Sequence, residues 1–160
     1  MDILKTAEDL LNEKGSHIHT IGPDVSLADA ITFMNDNNVG AVLVQDGAEY
    51  VGIWTERDLL LTVTDKGFDV HAATLRDHMQ TKLICVPHDE PLFSLIDKVL
   101  GLRVRHLLVK RGDQFIGLLS VGDLLRAALQ QRTEELHRLQ DIVKLEYYDE
   151  WRWQTKRKKR

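Results

Sequence analysis

Gly52-Ile53-Trp54-Thr55-Glu56-Arg57-Asp58-Leu59-Leu60 decides how the chain reads. An apolar run stops at a hydroxyl, and an acid follows three residues later. That pattern predicts a buried strand turning into a helix. Thr is a favoured N-cap, and its oxygen meets one of the N–H groups that a first helical turn leaves unpaired. The same pattern returns as Gly117-Leu118-Leu119-Ser120-Val121-Gly122-Asp123-Leu124-Leu125, each residue 65 positions after its mate. Either copy alone is a capped helix; repetition at a fixed interval points to a duplicated unit.

Outward from these stretches, the shift of 65 aligns Ile18–Leu60 with Leu83–Leu125 without a gap. Asp24/Asp89, Leu27/Leu92, Ile31/Ile96, Val39/Val104, Leu43/Leu108, Val44/Val109, Gly47/Gly112 and Asp58/Asp123 coincide. Each copy opens with a short apolar strand, Ile18–Ile21 or Leu83–Val86. A helix follows, capped by Ser26 with Asp29 in copy one and begun at Pro91 in copy two. Next come a buried strand (Ala41–Val44, Leu107–Val109), a tight Asp46-Gly47 or Arg111-Gly112 turn, and a third strand (Tyr50–Trp54, Gln114–Leu119). The helix after Thr55 or Ser120 closes the unit. Thr6-Ala7-Glu8-Asp9 and Thr74-Leu75-Arg76-Asp77 predict a lead-in helix before each copy, the first ended by Gly15. The connection at 65–73 is short, so the halves should share a core. The expected fold is α/β (α+β): two β-α-β-β-α repeats, 1–66 and 67–130, packed as a pseudo-two-fold pair, with an amphipathic C-terminal helix and basic tail over 131–160.

The 160 residues are 43% hydrophobic with a formal charge of −4, an ordinary globular composition. Lys156–Arg160 supply five positive charges, so 1–155 carries −9. Nothing at the start reads as a secretion signal and no apolar run is long enough for a membrane span, which predicts a cytoplasmic protein. The one cysteine, Cys85, excludes an internal disulfide and reads as a small core residue. No Ser-His-Asp arrangement, metal-ligand spacing or glycine-rich phosphate loop stands out, so the chain reads as no enzyme and as holding no metal.

With its G-h-x-[ST]-x-x-D endings, the duplicated unit resembles a pair of cystathionine-β-synthase (CBS) domains, a Bateman module. Val104-Arg105-His106-Leu107-Leu108-Val109 is similar to the family's Arg-His-Leu-Pro-Val strand, with Leu108 where proline is frequent. The resemblance implies a regulatory module with two clefts between its repeats. These would bind AMP, ADP or ATP, with S-adenosylmethionine or NADH as further adenosine ligands, and pass occupancy to a separate effector protein. One cleft would use Asp58 for the ribose and Thr55 and Arg57 for phosphate, with Leu83 and Ile84 as purine wall and Ile53 beneath. The second would use Asp123 for the ribose, Ser120 with His106 and Arg105 for phosphate, and Ile18 with His19 at its base. Arg57, where the second copy has Gly122, favours the first cleft for a ligand with two or more phosphates.

Leu129, Leu136, Leu139 and Val143 predict an amphipathic helix that packs on the module or on a second copy, in a homodimer. Aromatics at Tyr147–Trp153 beside the basic run suit nucleic acid, an anionic membrane or an acidic partner, or else a solvated end packing on a dimer mate. The competing reading is a structural dimer whose clefts hold no ligand.

Overall fold

The computed structural model of the protein describes residues 5–15 and 17–157, and side chains as far as residue 143. The aromatic cluster at 147–153 and the basic run at 156–160 thus fall outside the described side chains. Twelve elements follow one another: α1 (Ala7–Lys14), β1 (Thr20–Ile21), α2 (Leu27–Asn37), β2 (Ala41–Asp46), β3 (Glu49–Thr55), α3 (Glu56–Thr62), α4 (Leu75–His78), β4 (Cys85–Pro87), α5 (Leu92–Leu102), β5 (His106–Arg111), β6 (Gln114–Ser120) and α6 (Val121–Arg157).

They form two three-stranded sheets, β1-β2-β3 and β4-β5-β6. In each, the first strand runs parallel to the second and the third runs antiparallel. The duplication extends to irregularities. Bulges fall at Val44/Gln45 and Val109/Lys110, and Gly47 and Gly112 both turn at φ 59°. Such a turn needs a left-handed residue, which glycine supplies without steric cost.

Strand alternation sends Val42 and Val44 to one face of the first sheet and Ala41 and Leu43 to the other. The outer face carries α2 through Leu27, Ala30 and Met34. The second sheet does the same with Leu92, Leu95 and Val99 of α5. Between the sheets lies a third core, in which Ala41, Leu43 and Ile53 meet Leu108. The repeats therefore share buried surface, as the short connection requires.

The lead-in helices are exchanged. Ala7, Leu10 and Leu11 of α1 pack into the core of the second repeat, and Leu75 of α4 into that of the first. The backbone is stitched accordingly. The Ala7 N–H donates to the Glu90 carbonyl (2.9 Å) and Leu92 to that of Lys5 (2.9 Å), while Leu27 donates to Ala73 (2.9 Å) and Leu75 to Val25 (3.0 Å). Chain order would group each helix with the repeat that follows it; packing joins it to the other one. A β-carbon on Gly117 would stand 2.5 Å from Leu11 Cδ2, and one on Gly52 2.5 Å from Met79 Sδ. The glycine that opens each quoted stretch is thus where the exchanged segment crosses the third strand.

Three local expectations are corrected. Cys85 is exposed, because Val86 takes the inward position on the short β4 and alternation turns Cys85 away. The opening strands are shorter than expected, since β1 pairs with β2 only at Thr20 and Ile21. α6 buries Leu124 and Ala127, but Leu129, Leu136, Leu139, Ile142 and Val143 are exposed, so the apolar seam expected of this helix does not pack on the module.

Gly117→Ala is expected to cost about 1–3 kcal/mol from overpacking against Leu11. Gly101→Ala, in α5 with nothing within 4 Å of the new carbon, should gain up to ~1 kcal/mol of helix propensity. Thermal melting of the two variants checks this, at roughly 2–4 °C per kcal/mol for a chain of this size.

Candidate functional site

At the first junction β3 delivers Thr55, whose hydroxyl caps α3. The reciprocal bond completes a capping box, with Asp58 Oδ2 accepting the Thr55 N–H at 2.9 Å and its hydroxyl at 2.8 Å. The other oxygen, Oδ1, accepts from the Gln80 side-chain amide. Gln80 is held in place by a two-way backbone bridge to Ile53, 2.9 and 2.8 Å. Asp58 is 6% exposed and every bond to it is internal, so it lies behind the cleft wall and not in it.

In front of that wall is a cavity of about 390 Å³ between the repeats. Its apolar surface comes from Ile53, Leu83, Ile84, Val104 and Leu108, and its neutral polar groups from Thr55 and Gln80. The remainder of the lining is basic: Arg57, Lys82, Arg103, Arg105 and His106. No carboxylate lines it. His106 is partly buried, and its imidazole is held below the usual histidine range by burial first and by the Lys14 and Arg105 charges next, against the pull of Asp123 and Asp58.

Five of the expected residues meet here: Ile53, Thr55, Arg57, Leu83 and Ile84. Arg105 and His106, expected in the other cleft, line this one instead. The pseudo-two-fold sets the start of β5 across from the β3–α3 junction, which cleft assignment by proximity in the chain does not capture. Gln80, Lys82 and Arg103 were missed. The cluster of cations ahead of a repeated strand was the available signal.

The second junction is built alike but filled differently. Asp123 Oδ2 accepts the Ser120 N–H and hydroxyl, each at 2.8 Å, and the Lys14 ammonium at 2.7 Å. Lys14 also donates to the Leu118 carbonyl at 3.0 Å. Burial favours the neutral Asp123 carboxyl, but Lys14 and the two Ser120 bonds outweigh it and hold the group below the ordinary aspartate value. Ile18 packs into the inter-sheet core. His19 stands edge-on to His17, centroids 4.6 Å apart, and its imidazole is pushed down by burial, then by His17 and Lys14. Shifted by 65, the basic set of the first cleft becomes Gly122, His17, Asn38, Gly40 and Ala41. Asp123 and Lys14 instead lie in the wall of an open groove of about 710 Å³ between α1 and α6, where Lys5 and Arg126 alternate with Glu13 and Glu134.

Among the described residues no cluster of three or more His, Cys, Asp or Glu could hold a metal, and no helix is long and apolar enough to cross a membrane.

A sequence model of the CBS domain matches residues 7–65 and 75–130. Two solved structures are similar over most of the chain. A CBS domain designated NE2398 has a TM-score of 0.74 and 35% identity, covering 79% of this chain and 99% of that one. ATU1752 of Agrobacterium tumefaciens has 0.72 and 31%, covering 77% and 98%. Among curated proteins, the mitochondrial CBS domain-containing protein CBSX3 of Arabidopsis thaliana is 32% identical over 75% of this chain and 61% of its own length. The arabinose 5-phosphate isomerase KdsD of Yersinia pestis is 35% identical over 72% of this chain, but only 35% of the enzyme is matched.

The depressed Asp123 acid fixes a pH dependence. Its native value lies below the unfolded one, so the stability it contributes is full above about pH 4 and is lost as pH falls through the native value. Lys14→Met is expected to lower stability by roughly 1–2 kcal/mol at pH 7, a range discounted because Lys14 is partly exposed. The difference from wild type should shrink toward pH 3, as measured by urea denaturation across pH.

Proposed function

The chain belongs to the CBS-domain family, and on that premise we propose that it is a regulatory module whose first cleft binds one adenosine nucleotide. The observation that carries this reading is the cavity beside Thr55: an apolar floor edged by four fixed cations and His106, with no acid in the lining. In a body as acidic as this one, such a pocket is where an anion would concentrate. The apolar side suits a purine and the basic side a phosphate chain, which favours ADP or ATP over AMP, and disfavours the cationic sulfonium of S-adenosylmethionine. NADH, with its diphosphate, remains compatible with the same chemistry.

Ribose binding requires an exchange. Gln80 Nε2 donates to Asp58 Oδ1 in the place that a ribose hydroxyl would take. Swinging the amide aside trades one neutral donor for another, a change of small net free energy. At the second junction the donor is the Lys14 ammonium, and replacing it would strip a carboxylate of its ion pair. One ligand per chain follows.

A ligand touching both Arg57 of the first repeat and Arg105 of the second spans the repeats. It can shift their packing to the extent that it prefers one arrangement. The reader of that shift would be an effector, whether a separate protein or a catalytic domain joined to the module. A second reading, a homodimeric scaffold, draws on the exposed apolar residues of α6, which a second copy would cover. Contact of the basic tail with nucleic acid, a membrane or an acidic partner belongs with it.

Titration of the protein with AMP, ADP, ATP, NADH and S-adenosylmethionine by calorimetry and thermal melting tests the choice. ADP and ATP are expected to bind at one per chain and to raise the melting temperature, binding at 100 times the dissociation constant being worth about 2.7 kcal/mol. Because an anion favours the imidazolium form of His106, affinity should rise as pH falls from about 7 to 5.5. No shift with any of the five would favour the scaffold.

A further inference from the structure

Arg103 occupies a backbone that arginine does not favour. It ends α5 at φ 54° and ψ 36°, in the left-handed region. Its mate in the first repeat, Asn38, ends α2 at φ 52° and ψ 47°. These are the two non-glycine residues with positive φ among those described. Asparagine and glycine suit this position at a helix end, whereas a long side chain is strained there. The duplication has therefore kept one backbone twice and placed the residue that it prefers in one copy only.

The surroundings of the two differ. Asn38 is exposed on the first repeat, and the junction acid of the opposite repeat, Asp123, already holds Lys14. Arg103 lines the cationic cavity, and among the described residues no carboxylate pairs with it. Along this wall exposure increases from the floor outward: Leu108 is 1% exposed, His106 is partly buried, and Arg105 and Arg103 are exposed. Arg103 is thus at the mouth, as is the exposed Arg57 on the facing repeat, while the half-buried Thr55 flanks the acid at the inner end. Strain retained beside a binding cavity indicates use, and a guanidinium is the side chain suited to gripping a phosphate with two parallel bonds.

We propose that Arg103 reads the length of the phosphate chain in the first cleft, engaging the terminal phosphates of a di- or triphosphate and leaving a monophosphate untouched. This rests on the nucleotide reading above and names the residue that sets preference within it.

The test is calorimetry of the full chain and its Arg103→Asn variant with AMP, ADP, ATP and inorganic tripolyphosphate, together with melting in the absence of ligand. Asparagine relieves the strain, so the unliganded variant should melt about 2–4 °C higher. Its affinity for ATP and tripolyphosphate should fall about tenfold or more, the scale of a charged hydrogen bond, and its affinity for AMP less than about threefold. Unchanged ATP affinity, or equal losses for AMP and ATP, overturns the assignment. If tripolyphosphate alone binds and weakens in the variant, the nucleotide reading fails and Arg103 stands as a polyphosphate contact. If none of the four binds the wild-type protein, both are overturned.

Discussion

The close approach of Leu11 to Gly117, and of Met79 and Gln80 to Gly52, is the contact from which the clefts take their form. It lets each lead-in segment cross the third strand of the opposite repeat and end beside the strand–helix junction. There each segment delivers one polar group to a largely buried acid: Gln80 to Asp58, and Lys14 to Asp123. A larger residue at either glycine would lift the crossing segment away. The acid below would then keep its capping bonds and lose its third partner, a costly change for a desolvated carboxylate.

The same exchange makes the fold a unit and not two beads. Each outer core is completed by a helix from the other half of the chain, and the inner core by side chains of both sheets. Separating the repeats would open all three. Relative movement of the repeats must therefore be small and bounded by packed surfaces, the kind of motion in which a bridging ligand has leverage.

Identical backbones carry opposite electrostatics. At one junction, the residues brought in across the pseudo-two-fold are cations facing a cavity, and the acid is met by a neutral amide. At the other, the matched positions are uncharged apart from a histidine, and the cation comes from the lead-in helix and is spent on the acid itself. Divergence after duplication has changed the charges of the wall positions while sparing the bulges, the glycine turns and the two capped junctions, down to the left-handed residue that ends α2 and α5.

The sequence alone determined the duplication, the order of elements, the two capped junctions and the apolar faces, because these depend on local periodicity and capping chemistry that a chain displays directly. It also brought out Ile53, Thr55, Arg57, Leu83 and Ile84, which do share one cavity. Tertiary structure decided what lay across long separations: that α1 serves the second repeat, that Arg105 and His106 face Thr55, that Gln80 and Lys14 occupy the acids, and that Cys85 turns outward. Those outcomes depend on which surfaces meet around a pseudo-two-fold axis. Periodicity within one segment carries the identity of a buried face, but not the address of the segment that buries it.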